Sequence, residues 1–361
     1  MPLVPASILR RHLVLAGLAG AVAWANPASA LPAKALAFPR DRGSHPDFRT
    51  EWWYITGHAT SNGSGGRTFG FQLTFFRSRV EGTQGMTSKF SAKQLLFAHA
   101  AITDVQGKKL WHDQRIARDG FGVASASEQD MAIKLRDWSL QAKGEKYTAE
   151  LPASDFALKL QFKETQAVLL QGKQGLSRKG PEEAQASYYY SQPQLASRGS
   201  LQVKGQTFDV TGKAWLDHEW SQELLHPSAV GWDWIGMNLI DGSALTAFRL
   251  RDKDGNTVWD GGSFRSPQGR LDIFSRGEVF FKPGRRWKSP LTQSTYPVEW
   301  LLRTPTDSYT VKAFIDNQEL DSRTSTGAIY WEGLSELIDS NGKRVGSGYL
   351  EMTGYAQALR L

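Results

Sequence analysis

Residues 67–75 read RTFGFQLTF, and their alternation decides the fold class. Phe69, Phe71, Leu73 and Phe75 fall on one side of a period-two pattern, with Thr68, Gly70, Gln72 and Thr74 on the other. Successive side chains of a strand point to opposite faces, so this stretch predicts a strand with one strongly apolar face. Working outward, residues 51–58, 95–104, 187–191, 208–220, 244–251 and 309–315 also read as strands, rich in aromatic and β-branched residues. Asn62-Gly63, Asp241-Gly242, Asp254-Gly255-Asn256 and Asn341-Gly342 supply tight reversals between them. Helical periodicity is scarce. The pattern predicts an all-β, antiparallel protein built of barrels or sandwiches.

The front of the chain follows a different logic. Arg10 and Arg11 precede the apolar run 13–25 and the triplet Ala28-Ser29-Ala30. This is the layout of a secretory signal peptide cleaved after Ala30, and the arginine pair also fits twin-arginine export. Taking 30 residues from 361 leaves 331, enough for two β units, and removes both leader arginines from a formal net charge of +7. The expected organisation is a signal peptide over 1–30, a first unit over 31–225 and a second over 226–361, with Pro227 breaking the strand pattern near the junction. The expected location is the periplasm or the exterior.

Composition narrows the function classes. With no cysteine, disulfide scaffolds, thiol catalysis and cysteine metal sites are excluded. Lysines and arginines are scattered without a nucleic-acid module, although the basic balance suits anionic surfaces and peripheral contact with a membrane.

Two constellations carry candidate chemistry. In HPDFRTEWWYITGH (His45–His58), strand parity puts Trp52, Tyr54, Thr56 and His58 on one face and Glu51, Trp53 and Ile55 on the other. Trp52, Trp53, Tyr54 and His58 are candidate ligand-binding residues, and a buried first barrel strand with Arg49 paired to Glu51 is the alternative. In AWLDHEWSQELLHPSAVGWDWIG, which begins at Ala214, four tryptophans surround Asp217, His218 and Glu219. Parity groups Leu216, His218 and Trp220 against Trp215, Asp217 and Glu219, and it makes Trp232 and Trp234 alternate with Asp233 and Ile235. Three consecutive strand residues cannot all face one ion, and no H-x-H or H-E-x-x-H spacing exists, so no metal or other cofactor is expected. The run Tyr188-Tyr189-Tyr190 offers Tyr189 as a further pocket residue. No nucleophile elbow or dinucleotide fingerprint is present.

Seven segments together resemble the AttH/CrtC-like family: HPDFRTEWWYITGH, FGFQLTFFR (Phe69–Arg77), LLFAHAAITD (Leu95–Asp104), ASYYYS (Ala186–Ser191), AWLDHEWS (Ala214–Ser221), GWDW (Gly231–Trp234) and GYLEMTGY (Gly348–Tyr355). The resemblance implies two tandem lipocalin-like, calycin-type antiparallel β-barrels. It implies a hydrophobic small-molecule or lipid ligand. Carotenoid 1,2-hydratases of this kind add water across a terminal isoprenoid double bond, whereas AttH-like members resemble lipid carriers associated with envelope ABC transporters. Others are labelled secreted hydrolases.

The hydratase pattern of His-x-Trp followed by Tyr-x-Asp is met by His218 and Trp220. Leu239 and Asp241 stand at the second pair, without the tyrosine. Hydration needs an acid strong enough to protonate carbon, a wall that stabilises the cation and a base for the incoming water. The expectation is Asp241 or Asp217 as acid, Trp220 as wall and His218 as base, with Trp232 and Trp234 lining the ligand.

Overall fold

The computed structural model describes residues 30–63, 66–223 and 225–359, so all of the expected signal peptide except Ala30 lies outside the described residues. Among those residues the fold is all-β, with only two short 3-10 turns. The first sheet contains β1 (Thr50–Ser61), β2 (Thr68–Arg79), β3 (Gln94–Asp104), β4 (Lys109–Arg118), β5 (Ala186–Val203) and β6 (Gln206–Glu223). Its order is β4-β3-β2-β1-β6-β5, continued by Phe156–Lys163, Lys146–Pro152 and shorter strands that curl back toward β3 and β4. The sheet nearly closes into a barrel.

The second sheet is built around β7 (Gly231–Leu239), β8 (Ala244–Arg251), β9 (Ala328–Ile338) and β10 (Arg344–Met352), in the order β8-β7-β10-β9. All pairings are antiparallel, and no helix is long and apolar enough to cross a membrane.

The opening stretch behaves as its alternation requires. Phe69, Phe71, Leu73 and Phe75 are wholly buried in the barrel core with Trp53, Ile55, Trp138 and Trp220. Each such side chain contributes about 1.5–3 kcal/mol. The opposite face of β2 is not solvated, however: Gln72 and Thr74 are also buried, because the second sheet packs against it. At Gly70 an added Cβ would meet Tyr349 Oη at 2.7 Å and Leu334 Cβ at 2.9 Å, so glycine lets the two faces close there.

Residues 31–48 close one end of the barrel. Leu31, Leu36, Phe38 and Phe48 pack on its core, and the Trp53 indole donates to the Arg42 carbonyl at 3.0 Å.

Candidate functional site

The two faces of β6 lead to two different environments. Toward the barrel interior, His218 lies opposite Trp53 on β1 and Tyr190 on β5, while Trp220 lies opposite Glu51 and Tyr188. His218 and Trp220 are completely buried. The His45 ring stacks on Trp220 with centroids 3.8 Å apart.

Glu51 is the hub of this cluster. It accepts from the Ser44 hydroxyl at 3.0 Å, the His45 backbone N–H at 2.9 Å and Arg77 Nε at 2.8 Å. The same carboxylate faces His45 Nδ1 at 2.7 Å and His218 Nε2 at 3.0 Å. Burial opposes its charge, but hydrogen bonds from His218 and His45 and the Arg77 guanidinium outweigh burial and hold Glu51 well below the usual carboxylate range. Burial lowers His218 to about 4 against the pull of Glu51, so it is neutral at pH 7 and its other nitrogen faces Tyr190 Oη at 3.3 Å.

Three possible metal-ligand atoms of His45, Glu51 and His218 lie within 4.8 Å of one another. Both imidazoles nevertheless approach the same Glu51 oxygen at hydrogen-bond distance. Ligand atoms around an ion with bonds of about 2.0–2.1 Å stand about 3.3 Å apart. The cluster as arranged is closed by protons, with Arg77 on the remaining oxygen.

The opposite face of β6 meets the second sheet across a cavity of about 260 Å³. Trp52 and Tyr54 from β1, Tyr189 from β5, Trp232 and Trp234 from β7 and Phe248 from β8 form an aromatic lining. Asp217 and Glu219 project into it from one sheet, Glu332 and Glu351 from the other. Of the two cations that line it, Arg77 is committed to Glu51 at 2.8 Å, and Lys179 pairs with Glu219 at 3.0 Å and lies over the Tyr189 and Phe248 rings.

Among the described residues no cation pairs with Asp217. It accepts from Tyr189 Oη at 2.7 Å, Ser191 Oγ at 2.5 Å and Trp215 Nε1 at 2.7 Å, and the Trp234 indole donates to Tyr189 Oη at 3.3 Å. Burial outweighs these donors and raises Asp217 to about 7.

Glu332 and Glu351 are direct cross-strand partners on β9 and β10. Side chains so placed have Cβ atoms about 4.5–5.5 Å apart, where like charges repel. One Glu332 oxygen accepts from Gln72 Nε2 at 2.6 Å, while the other is buried beside the Tyr54 hydroxyl, the neighbour that partly offsets its burial. Burial, reinforced by the charge of Glu351, pushes Glu332 well above the carboxylate range. Burial likewise raises Glu351 to about 7, despite the Trp232 indole. His99, lowered to about 3 by burial, bonds Tyr330 Oη at 2.7 Å and Ser325 Oγ at 2.9 Å at the same cavity.

The structure therefore brings Asp217, Trp52, Tyr54, Tyr189, Trp232 and Trp234 together and separates the rest. His218, Trp220 and Trp53 belong to the closed barrel core, because parity turns their face of the ribbon away from the second sheet. Asp241 requires the clearest correction. It sits on an exposed hairpin turn, where its carboxylate accepts the Ser243 N–H at 2.8 Å, and it does not reach His218. His58, on the same face as Tyr54 but further along β1, is half-buried near Lys213 and Arg344 rather than at the cavity. Sequence reasoning missed Glu332, Glu351, Lys179 and His99. The available signal was the alternation Tyr330-Glu332 and Tyr349-Glu351: glutamates in strands with no solvated face.

Comparison with known proteins adds to this geometry. The family model described as AttH-like matches residues 29–355. A crystal structure of an AttH candidate from Nitrosomonas europaea is 44% identical, covers 91% of this chain and 100% of its own, and superposes with a TM-score of 0.84. Kievitone hydratase from Nectria haematococca shares the fold at 13% identity, with TM-score 0.69 over 90% of this chain and 94% of its own. CghA does so at 12% identity, with TM-score 0.51 over 90% and 97%. No curated protein sequence matches the chain.

Proposed function

The chain belongs to the AttH-like family, and on that premise we propose that its inter-sheet cavity binds the end of an elongated hydrophobic ligand, an isoprenoid or lipid, and adds water to a carbon–carbon double bond there. The observation that carries this reading is Glu332: a buried carboxyl facing an aromatic cavity, opposed by Glu351, with no cation and only Gln72 and the Tyr54 hydroxyl beside its oxygens. A carboxyl kept neutral by apolar surroundings is the acid such a reaction needs. The kievitone hydratase that shares the fold lends support to the reaction class.

In the proposed step the O–H bond of Glu332 breaks as its proton goes to the less substituted alkene carbon, leaving a tertiary carbocation. The faces of Tyr54, Trp232 and Trp234 stabilise that cation. Water then forms the C–O bond and gives up one proton to ionised Glu351, which passes that proton to the Glu332 carboxylate across the strand pair and is itself left ionised as before. The acid is thus neither Asp241 nor a partner of His218.

Small-molecule pockets commonly run to about 300–1,000 Å³. A cavity of about 260 Å³ holds the reacting end of a long isoprenoid and not its whole length. The half-buried Phe76 and Phe97 at the edge suit the remainder. As a carrier, the same cavity would pass an unaltered lipid to an envelope transporter; its aromatic lining serves that role equally, but carriage leaves the Glu332 carboxyl without a task.

The test is incubation of the leaderless protein with acyclic isoprenoids in oxygen-labelled water, with mass spectrometry of products and of co-purified lipid. A labelled tertiary alcohol that Glu332→Gln fails to form supports hydration. Retained ligand with no conversion by the unaltered protein overturns the enzyme reading in favour of carriage.

A further inference from the structure

The largest outward-facing apolar side chains of the first sheet gather at one tip. The loop of residues 80–93, between β2 and β3, carries Met86 and Phe90, which are 51% and 78% exposed. The turn after β4 carries Phe121, 63% exposed, with the exposed Val123 beside it. Phe90 and Phe121 stack on each other in the open, with ring centroids 5.8 Å apart. Two aromatic side chains held at a tip are not spare core, since nothing among the described residues covers them.

The loop is held in shape rather than left loose. Arg118 donates to the carbonyls of Lys89 and Phe90 and lies over the Phe121 ring, 4.3 Å from its centroid. Thr83 Oγ1 donates to the Ala92 carbonyl at 2.6 Å, and Gln84 Nε2 to the Lys93 carbonyl at 2.9 Å. Lys89 and Lys93 are exposed on the same loop, Arg118 lies behind it, and the acids nearby are Glu81 and Asp119. Apolar tips ringed by lysine and arginine match the layered chemistry of an anionic bilayer surface, which is negatively charged outside and apolar beneath.

The tip also continues into the cavity. Arg118 is the cross-strand partner of Leu95, and Ile116, 37% exposed, is the partner of Phe97. Phe97 in turn partners Phe76, and both line the cavity edge. One face of β2, β3 and β4 therefore carries apolar side chains from the exposed tip to the buried acids.

We propose that this tip docks on the surface of an anionic phospholipid membrane, with Phe90, Phe121 and Met86 entering the interface and Lys89 and Lys93 facing the headgroups. Docking there places the cavity edge against the bilayer, from which an apolar ligand enters along Ile116 and Phe97. The docking stands whether the cavity converts or merely carries its ligand.

The experiment is co-sedimentation of the leaderless full-length protein with vesicles of phosphatidylcholine alone and of phosphatidylcholine mixed with phosphatidylglycerol. Binding to the mixed vesicles, weakened by salt, is expected. The variant Lys89→Gln/Lys93→Gln should bind about thirtyfold more weakly, at about fivefold for each charge removed. Phe90→Ser/Phe121→Ser should bind about a hundredfold more weakly with unchanged thermal stability, since both rings are exposed. Equal binding by all three proteins, or no binding to either vesicle, overturns the proposal. Concentration-dependent dimerisation abolished by the phenylalanine variant, without vesicle binding, would assign the tip to a second copy of the chain and overturn it equally.

Discussion

Glu51 and Glu332 are almost equally buried, 1% and 2% exposed, yet they are held in opposite states. Around Glu51 the barrel converges a hydroxyl, a backbone N–H, a guanidinium and two imidazoles, and the carboxylate stays charged. Around Glu332 the two sheets supply one amide, one phenol hydroxyl and a second acid but no cation, and burial pushes the carboxyl toward its neutral form. Desolvation acts on both; the donors decide the outcome. An ionised and fully bonded carboxylate is part of the frame. A neutral carboxyl with no cation beside it, facing a cavity, has a proton to give.

This contrast breaks most visibly by substitution. Glu51→Gln leaves Arg77 buried without its counter-charge, and the expected loss is about 3–5 kcal/mol in urea unfolding. Glu332→Gln removes no ion pair, so stability should stay within about 1 kcal/mol while hydration falls at least about a hundredfold. Equal destabilisation by the two variants would mean that Glu332 is structural as well.

The pH dependence separates the two regions next. Asp217 and Glu351 have folded values of about 7, above ordinary values of 3.8 and 4.5. Their contribution is fully present below the ordinary values and is lost as pH rises through about 7. His218 runs the other way: lowered from 6.5 to about 4, it favours the fold above 6.5 and loses that contribution as pH falls through about 4. The stability of Glu332→Gln/Glu351→Gln relative to the unaltered protein should therefore improve by about 1–3 kcal/mol between about pH 5 and pH 8. A constant difference across that range would show the pair to be ionised throughout.

Smaller changes sharpen the picture. Tyr189→Phe removes one donor from Asp217 and should cost about 1 kcal/mol, with slower conversion and an intact barrel cluster. Asp241→Asn should change stability by less than about 0.5 kcal/mol and leave conversion untouched. A large loss of conversion there would return the exposed turn to the site.

The fold was legible because alternation survives burial. Phe69, Phe71, Leu73 and Phe75 announced their face, and parity correctly divided Asp217 and Glu219 from His218 and Trp220. Which face opened on the cavity was not legible. Both sides of β6 are buried, and only the packing of the second sheet distinguishes them. Trp52, Tyr54, Trp232 and Trp234 were recognisable as aromatic lining, whereas Glu332 and Glu351 were not recognisable as a pair. They become neighbours only through the β9–β10 register, across a gap of nineteen residues, and neither strand alone reveals that its polar position meets another acid.

The ribbon from Ala214 to Trp220 also limits how such a protein can change over time. Inserting or deleting one residue there would exchange its two faces, sending His218 toward the second sheet and Asp217 into the barrel beside Glu51. The Glu51 cluster would lose one of its two imidazoles and acquire a repelling acid, and the cavity would lose the network built on Tyr189. Neither product keeps both cores. New specificities must therefore arise by replacement of single side chains such as Trp52 or Trp232, or by growth of the loops at the sheet ends, while the length of this segment stays fixed.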